Sequence, residues 1–251
     1  MTSHDVIHFL MVESNITAKY GGRCDRQDIE MNFRLIAGAL SILFFVIVGL
    51  LIFSGVIQQY DAQVAILINH STPIATFTTI MVIFSNYGRE YFWIPVVALM
   101  LLLGNRNTKL LAFELAGLFL AGIVFGEILK VLVYRPRPFV TLDNIILRVP
   151  TDTDSSFPSG HALIVAVGAA FTYFKFKNKA TSLIFIIEAA LVCYSRVYVG
   201  AHYPTDVISG IFLGVGIASI GIFILEKYVM RLLEKLTSLA EKVFRNGPLS
   251  L

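Results

Sequence analysis

Ser155-Ser156-Phe157-Pro158-Ser159-Gly160-His161 stands between two strongly apolar runs, and its composition is wrong for the interior of a bilayer. A proline, a small hydroxyl, a glycine and an imidazole occupy four consecutive positions, and an apolar helix follows at once. Pro158 is pre-set for the start of that helix. Ser159 and Gly160 then present first-turn backbone N–H groups that have no partner inside the helix. Gly160 has no side chain to hold a ligand away, and His161 exchanges a proton near neutral pH. The stretch reads as an anion site at a helix N-terminus with an acid or base beside it. It also divides the chain into separate membrane helices.

Composition agrees. The 251 residues are 56% hydrophobic and 15% charged, against about 25% charged in a soluble domain. This describes an integral membrane protein built as a single helical bundle. A net charge of +3 is too small to argue for a nucleic-acid partner. Cys24 and Cys193 supply neither a disulfide framework nor a metal-binding spacing, and no metal or cofactor is implied. About thirty mostly polar residues precede the first apolar run, which does not fit a cleaved signal peptide.

Outward from the opening stretch, the apolar runs predict an all-α fold, a polytopic bundle of six transmembrane helices. The spans fall at about 34–57, 90–103, 110–133, 160–174, 180–198 and 204–225, set against a bilayer core of roughly 30 Å. Asp61–His70 reads as a short amphipathic helix and 73–85 as an apolar helix too short to cross. Both are placed at the membrane surface between spans one and two. Residues 1–33 form a polar segment. Residues 229–251 read as a basic amphipathic tail with Leu232, Leu233, Leu236, Leu239 and Val243 near one face. Six spans put both termini on one side, where most of the 20 Lys and Arg fall, so the termini are read as cytoplasmic. The six cations on the outer side are Arg89, Lys130, Arg135, Arg137, Arg148 and Arg196, and their charge calls for a reason.

Three clusters share that outer side. Lys130 ends span three and is followed by Arg137-Pro138. Pro158 to His161 opens span four. Ser195-Arg196 ends span five, with His202 and Asp206 leading into span six. Three cations, a helix N-terminus, two histidines and a carboxylate suit the binding and transfer of a phosphoryl group. Asp206 lies four residues after His202 and, with Pro204 opening span six, is placed to reach back to an imidazole nitrogen. That makes His202 the candidate nucleophile. His161, whose nearest acid is Asp154 seven residues before it, is the candidate acid and then the base for water.

The pattern Lys-x6-Arg-Pro, Pro-Ser-Gly-His and Ser-Arg-x5-His-x3-Asp resembles the type 2 phosphatidic acid phosphatase superfamily, in residue type and in spacing across all three motifs. The likeness implies a PAP2-like catalytic domain over 34–228, working without a metal through a phosphohistidine. It implies His202 as nucleophile, Asp206 as its orienting acid and His161 as acid, with phosphate held by Lys130, Arg137, Ser159, Gly160 and Arg196. The expected function is hydrolysis of a membrane lipid phosphate or pyrophosphate at the outer leaflet of the cell membrane. A polyprenyl diphosphate is favoured because Arg135 and Arg148 are read as candidates for a second phosphoryl group. Phosphatidate or phosphatidylglycerol phosphate, and transfer to a lipid acceptor, are the enzymatic alternatives. A non-catalytic lipid-phosphate binder or transporter would not need the full set of histidines and carboxylate.

Outside the motifs, Glu127 is placed one turn before Lys130 to pair with it, and Glu114 and Glu188 are each expected to pair or protonate. Gly210 and Gly214 form a small-xxx-small pattern for close helix packing. Asn69-His70-Ser71 matches a glycosylation sequon.

Overall fold

The computed structural model describes residues 29–72 and 74–246, with 229–246 as backbone alone. Every regular element of the described chain is a helix. It runs α1 (Ile29–Phe53), α2 (Gln58–Asn69), α3 (Ala75–Tyr87), α4 (Glu90–Leu103), α5 (Arg106–Leu132), α6 (Pro138–Thr141), α7 (Gly160–Lys175), α8 (Lys179–Tyr198) and α9 (Pro204–Asn246). The two short helices expected before span two are present as α2 and α3. Cys24, most of the 1–33 segment and the side chains of the C-terminal apolar face lie outside the described residues.

Among the described residues, four helices are long and apolar enough to cross a membrane: α1, α5, α8 and the Pro204–Tyr228 part of α9. The remaining two expected spans, α4 and α7, are shorter apolar helices of 14 and 16 residues. At a rise of 1.5 Å per residue these reach only about 21 and 24 Å, less than the hydrocarbon thickness. The fold is thus a multi-pass helical bundle with four candidate spans and two short apolar helices.

Helix α7 is the centre of the bundle. Every side chain from Ala162 to Thr172 is buried, as an all-round apolar helix requires, and α5, α8 and α9 pack around it. Small residues let the backbones approach. A Cβ on Gly210 would lie 2.6 Å from the Ser159 carbonyl, and one on Gly214 would collide with the Leu163 carbonyl. The small-xxx-small pattern is therefore the α7–α9 contact, as expected. Trp93 of α4 lies against Gly168 and stacks on Phe185 at 5.1 Å. By contrast, α1 shows large apolar side chains outward, among them Leu43 and Leu50.

Polar groups inside the bundle mostly find partners. Lys175 holds Glu114 at 3.0 Å and Glu226 at 3.0 Å, and Arg34 meets Glu226 at 2.5 Å. Glu127 pairs with Lys130 at 3.4 Å, as its spacing predicts. Glu188 finds no partner among the described residues. The sequon is a structural staple: Asn69 is fully buried, and its amide donates to the Ile146 and Tyr198 carbonyls and accepts from the Ile146 N–H. No accessible acceptor remains there.

Candidate active site

The site forms where the last turn of α5, the loop 133–159, the first turn of α7 and the α8–α9 turn meet. Ser159 is the N-cap of α7 and its hydroxyl accepts from the Ala162 N–H. Its own N–H donates to the Asp206 carbonyl at 3.0 Å. Pro158 therefore precedes the cap instead of opening the helix, and Ser159 is held by fold contacts. The free donors of this turn are the N–H groups of Gly160 and His161. Gly160 faces charge: a Cβ there would lie 3.2 Å from Arg89 Nη1 and 3.7 Å from Lys130 Nζ.

His202 arrives by a tight turn. Gly200 adopts φ +80°, which a side chain disfavours, and the Arg196 carbonyl accepts from the N–H groups of Ala201 and His202. The imidazole is 2% exposed. Its Nδ1 lies 2.9 Å from the Ser156 carbonyl, which can only accept, so Nδ1 carries the proton. Nε2 is left with its lone pair and sits 3.4 Å from Arg137 Nη1. Burial, reinforced by the charges of Arg196, Arg137 and Lys130, pushes this ring well below the usual histidine range against a smaller pull from the Ser156 bond. It stands neutral and able to attack.

Asp206 is fully buried but is not the direct partner that spacing suggests. Its Oδ2 is 3.9 Å from His202 Nδ1. That oxygen accepts instead from Ser156 Oγ at 2.5 Å and the Tyr203 N–H at 3.0 Å, while Oδ1 accepts from Arg135 at 2.5 Å. Ser156 stands between acid and imidazole, its hydroxyl to Asp206 and its carbonyl to His202. The helical offset of four residues brings the carboxylate near the ring, and the loop then inserts a residue between them.

The three expected cations converge. Lys130 and Arg137 each meet Asp154 at 2.5 Å, and Asp152 lies 3.2 Å from Arg137 and 3.5 Å from Arg196. Partial burial works to raise the Asp154 carboxyl, but bonds and charge from Lys130 and Arg137 overcome it and hold it at about 2. Two loop carboxylates thus sit against the cations that a phosphate would use. Arg196 is fixed by Ser85 at 2.7 Å, and its buried Nε has no partner among the described residues. Asp61, Ser85, Arg89, Asp152 and Ser156 were missing from the sequence-derived site. Only the outward charge of Arg89 could have marked one of them.

Arg135 and Arg148, read as candidates for a second phosphoryl group, are both engaged by the fold. Arg135 Nη2 meets Asp61 at 2.6 Å, and its Nη1 donates to Asp206 and Thr205. It also stacks over Tyr203, 4.0 Å from the ring centroid. Arg148 lies over Tyr198 at 4.7 Å and donates to the Ile146 and Tyr198 carbonyls.

An apolar groove of about 300 Å³ between α4, α5 and α7 ends at this site. Val97, Phe119 and Leu120 line its length, and Arg89, Glu127 and Gly160 form its polar end. A wider groove of about 440 Å³ along α1, α7, α8 and α9 has almost wholly apolar walls and no charged residue on them. A phosphate carried on a hydrocarbon chain fits the first geometry.

The site and fold together define a membrane-embedded phosphate-handling helical bundle. The PAP2 superfamily pattern matches residues 111–229. The chain is 45% identical over 155 residues to an undecaprenyl-diphosphatase of Sulfolobus acidocaldarius, covering 62% of this chain and 73% of that one. It is 29% identical over 191 residues to phosphatidylglycerophosphatase B of Bacillus subtilis, covering 68% and 86%. The crystal structure of a transmembrane PAP2 type phosphatidylglycerolphosphate phosphatase from Bacillus subtilis superposes with a TM-score of 0.64 at 24% identity, over 76% of this chain and 96% of that one. This protein belongs to the PAP2 superfamily.

Proposed function

We propose that the protein is a lipid phosphatase that cleaves a polyprenyl diphosphate through a phosphohistidine. One observation carries the reading: His202 is held with Nδ1 protonated and its lone pair on Nε2, beside Arg137 in a cluster of three cations. The similarity to a Sulfolobus undecaprenyl-diphosphatase supports the substrate class. The groove ending at Gly160 supports a lipid chain.

In the first half-reaction His202 Nε2 attacks the terminal phosphorus. A P–N bond forms, the bond from phosphorus to the bridging oxygen breaks, and the lipid monophosphate leaves with that electron pair and a proton from His161. Lys130, Arg137, Arg196 and the N–H groups at Gly160 hold the equatorial oxygens as charge redistributes. Ser159 contributes by fixing that turn. Asp206, at 3.9 Å, stabilises the imidazolium character of the phosphohistidine. In the second half His161 takes a proton from water, whose oxygen bonds to phosphorus as the P–N bond breaks and its electron pair returns to His202 Nε2, releasing inorganic phosphate.

The chain crosses the membrane six times in this reading, α4 and α7 included, with cytoplasmic termini and the site at the outer leaflet. The distribution of Lys and Arg supports that orientation. A reporter fused after Lys177 should read cytoplasmic; an outside signal there reverses the assignment. In purified protein His202→Ala should abolish phosphate release and the labelled phosphoenzyme, while EDTA leaves turnover intact. Full turnover by that variant would sink the nucleophile, and strong EDTA inhibition the metal-free mechanism. A release panel of polyprenyl diphosphate, phosphatidate and phosphatidylglycerol phosphate tests the substrate.

A further inference from the structure

The motifs account for one phosphoryl group, yet a diphosphate brings two. Arg135 and Arg148 are both engaged elsewhere in the fold. Arg89 is differently placed. It is the N-cap of α4, lies outside the three motifs and the matched family region, and keeps its side chain 29% exposed. Its Nη1 sits 3.2 Å from where a Gly160 Cβ would be, beside Lys130 on the same side of that glycine. It also forms the polar end of the α4–α5–α7 groove. Asp152 and Asp154 engage Lys130, Arg137 and Arg196. Arg89 instead pairs with its neighbour Glu90, which anchors one arm of its fork.

Direction follows from the chemistry. In-line displacement puts the leaving group on the side of phosphorus away from His202. The leaving group carries the hydrocarbon chain, so it points to the groove, and Arg89 stands where groove and phosphate site join. We propose that Arg89 binds the phosphoryl group that stays with the lipid, and so sets preference for lipid diphosphates over lipid monophosphates. This rests on the substrate reading above. As the bond to the bridging oxygen breaks, the departing lipid monophosphate gains its electron pair. A fixed guanidinium stabilises that growing charge. When the substrate is a monophosphate, the leaving group is an alcohol protonated by His161, and Arg89 has no anion to hold.

The test is a ratio. The kcat/KM for a long-chain polyprenyl diphosphate and for phosphatidate are measured in mixed micelles with wild type, Arg89→Gln and Arg89→Lys. The diphosphate-to-monophosphate ratio should fall roughly 10- to 100-fold in Arg89→Gln, the loss expected for a charged hydrogen bond, with partial recovery in Arg89→Lys. A second measurement does not need the diphosphate lipid: competitive inhibition of phosphatidate hydrolysis by inorganic pyrophosphate should weaken in Arg89→Gln while inhibition by inorganic phosphate holds. An unchanged ratio together with equal inhibition changes overturns the role of Arg89 while leaving the substrate reading standing. A wild-type enzyme that cleaves phosphatidate but no diphosphate overturns both.

Discussion

Replacing Asp61 with alanine tests how far the site depends on a helix outside the motifs. The Asp61 side chain is 1% exposed. Its Oδ2 accepts from Arg135 at 2.6 Å and from the Thr205 hydroxyl at 2.5 Å, and Oδ1 accepts from the Thr205 N–H at 3.0 Å. Asp61 therefore caps the first turn of α9 from another helix and balances Arg135, whose other arm holds Asp206. Removing one partner of a buried ion pair costs about 3–5 kcal/mol, because the remaining charge stays buried without its counterpart. Against a total stability of roughly 5–15 kcal/mol that is a large share. In a chain of this size it lowers the melting temperature by about 10 °C. Asp206 would then be the one carboxylate left to Arg135 and would shift relative to Ser156 and His202, so kcat should fall more than KM rises. Asp61→Asn keeps an oxygen for Thr205 and should lie between the two. The assay is thermal unfolding of detergent-solubilised protein followed through the emission of the single tryptophan, Trp93, alongside kcat and KM. An Asp61→Ala protein that melts as wild type and turns over fully would refute the coupling from α2 to Asp206.

Three further outcomes are expected. Asp154→Asn removes an anion that competes with phosphate for Lys130 and Arg137; half-exposed as it is, screening leaves about 1 kcal/mol, so inhibition by inorganic phosphate should tighten roughly fivefold. Weaker inhibition would mean that Asp154 orders the cations instead. Because burial and neighbouring cations depress His202, its neutral form persists as pH falls through the ordinary histidine value of 6.5. In an NMR titration assigned by loss of the signal in His202→Ala, the midpoint should lie below 6.5, and one at or above it contradicts the site's electrostatics. Gly214→Ala forces α7 and α9 apart and should cost about 1–3 kcal/mol, whereas Gly117→Ala, with open space at its Cβ inside α5, should not lower the melting temperature.

Much of the site was legible because its parts are local. Lys130, Arg137, Gly160, His161, Arg196, His202 and Asp206 lie at helix ends, and apolar runs mark those ends. Glu127 meets Lys130 because i and i+3 share a helix face. Gly210 and Gly214 recur at the spacing of one helix face and meet α7. The short helices α2 and α3 were bounded by polar breaks. Charge alone marks Arg135 and Arg148 as candidates for a second phosphoryl group, and only tertiary structure shows both in fold contacts.

The sequence alone determined the class of protein, an all-helical membrane protein with a phosphate site assembled from helix ends, because spacing and apolar length are read along a single chain. Tertiary structure decided which groups touch. Ser156 stands between Asp206 and His202, Asp61 reaches Arg135 across 74 residues, and Ser85 fixes Arg196 across 111. Such pairs depend on which helices are neighbours. In a bilayer the apolar faces do not specify this, since lipid tails are as apolar as leucine, and association is chosen by close packing at small residues and by buried polar bonds. Gly210, Gly214 and Gly168 are where the chain makes that choice. Their contacts bring α9 and α4 against α7, and so set His202 and Arg89 beside the Ser155–His161 stretch.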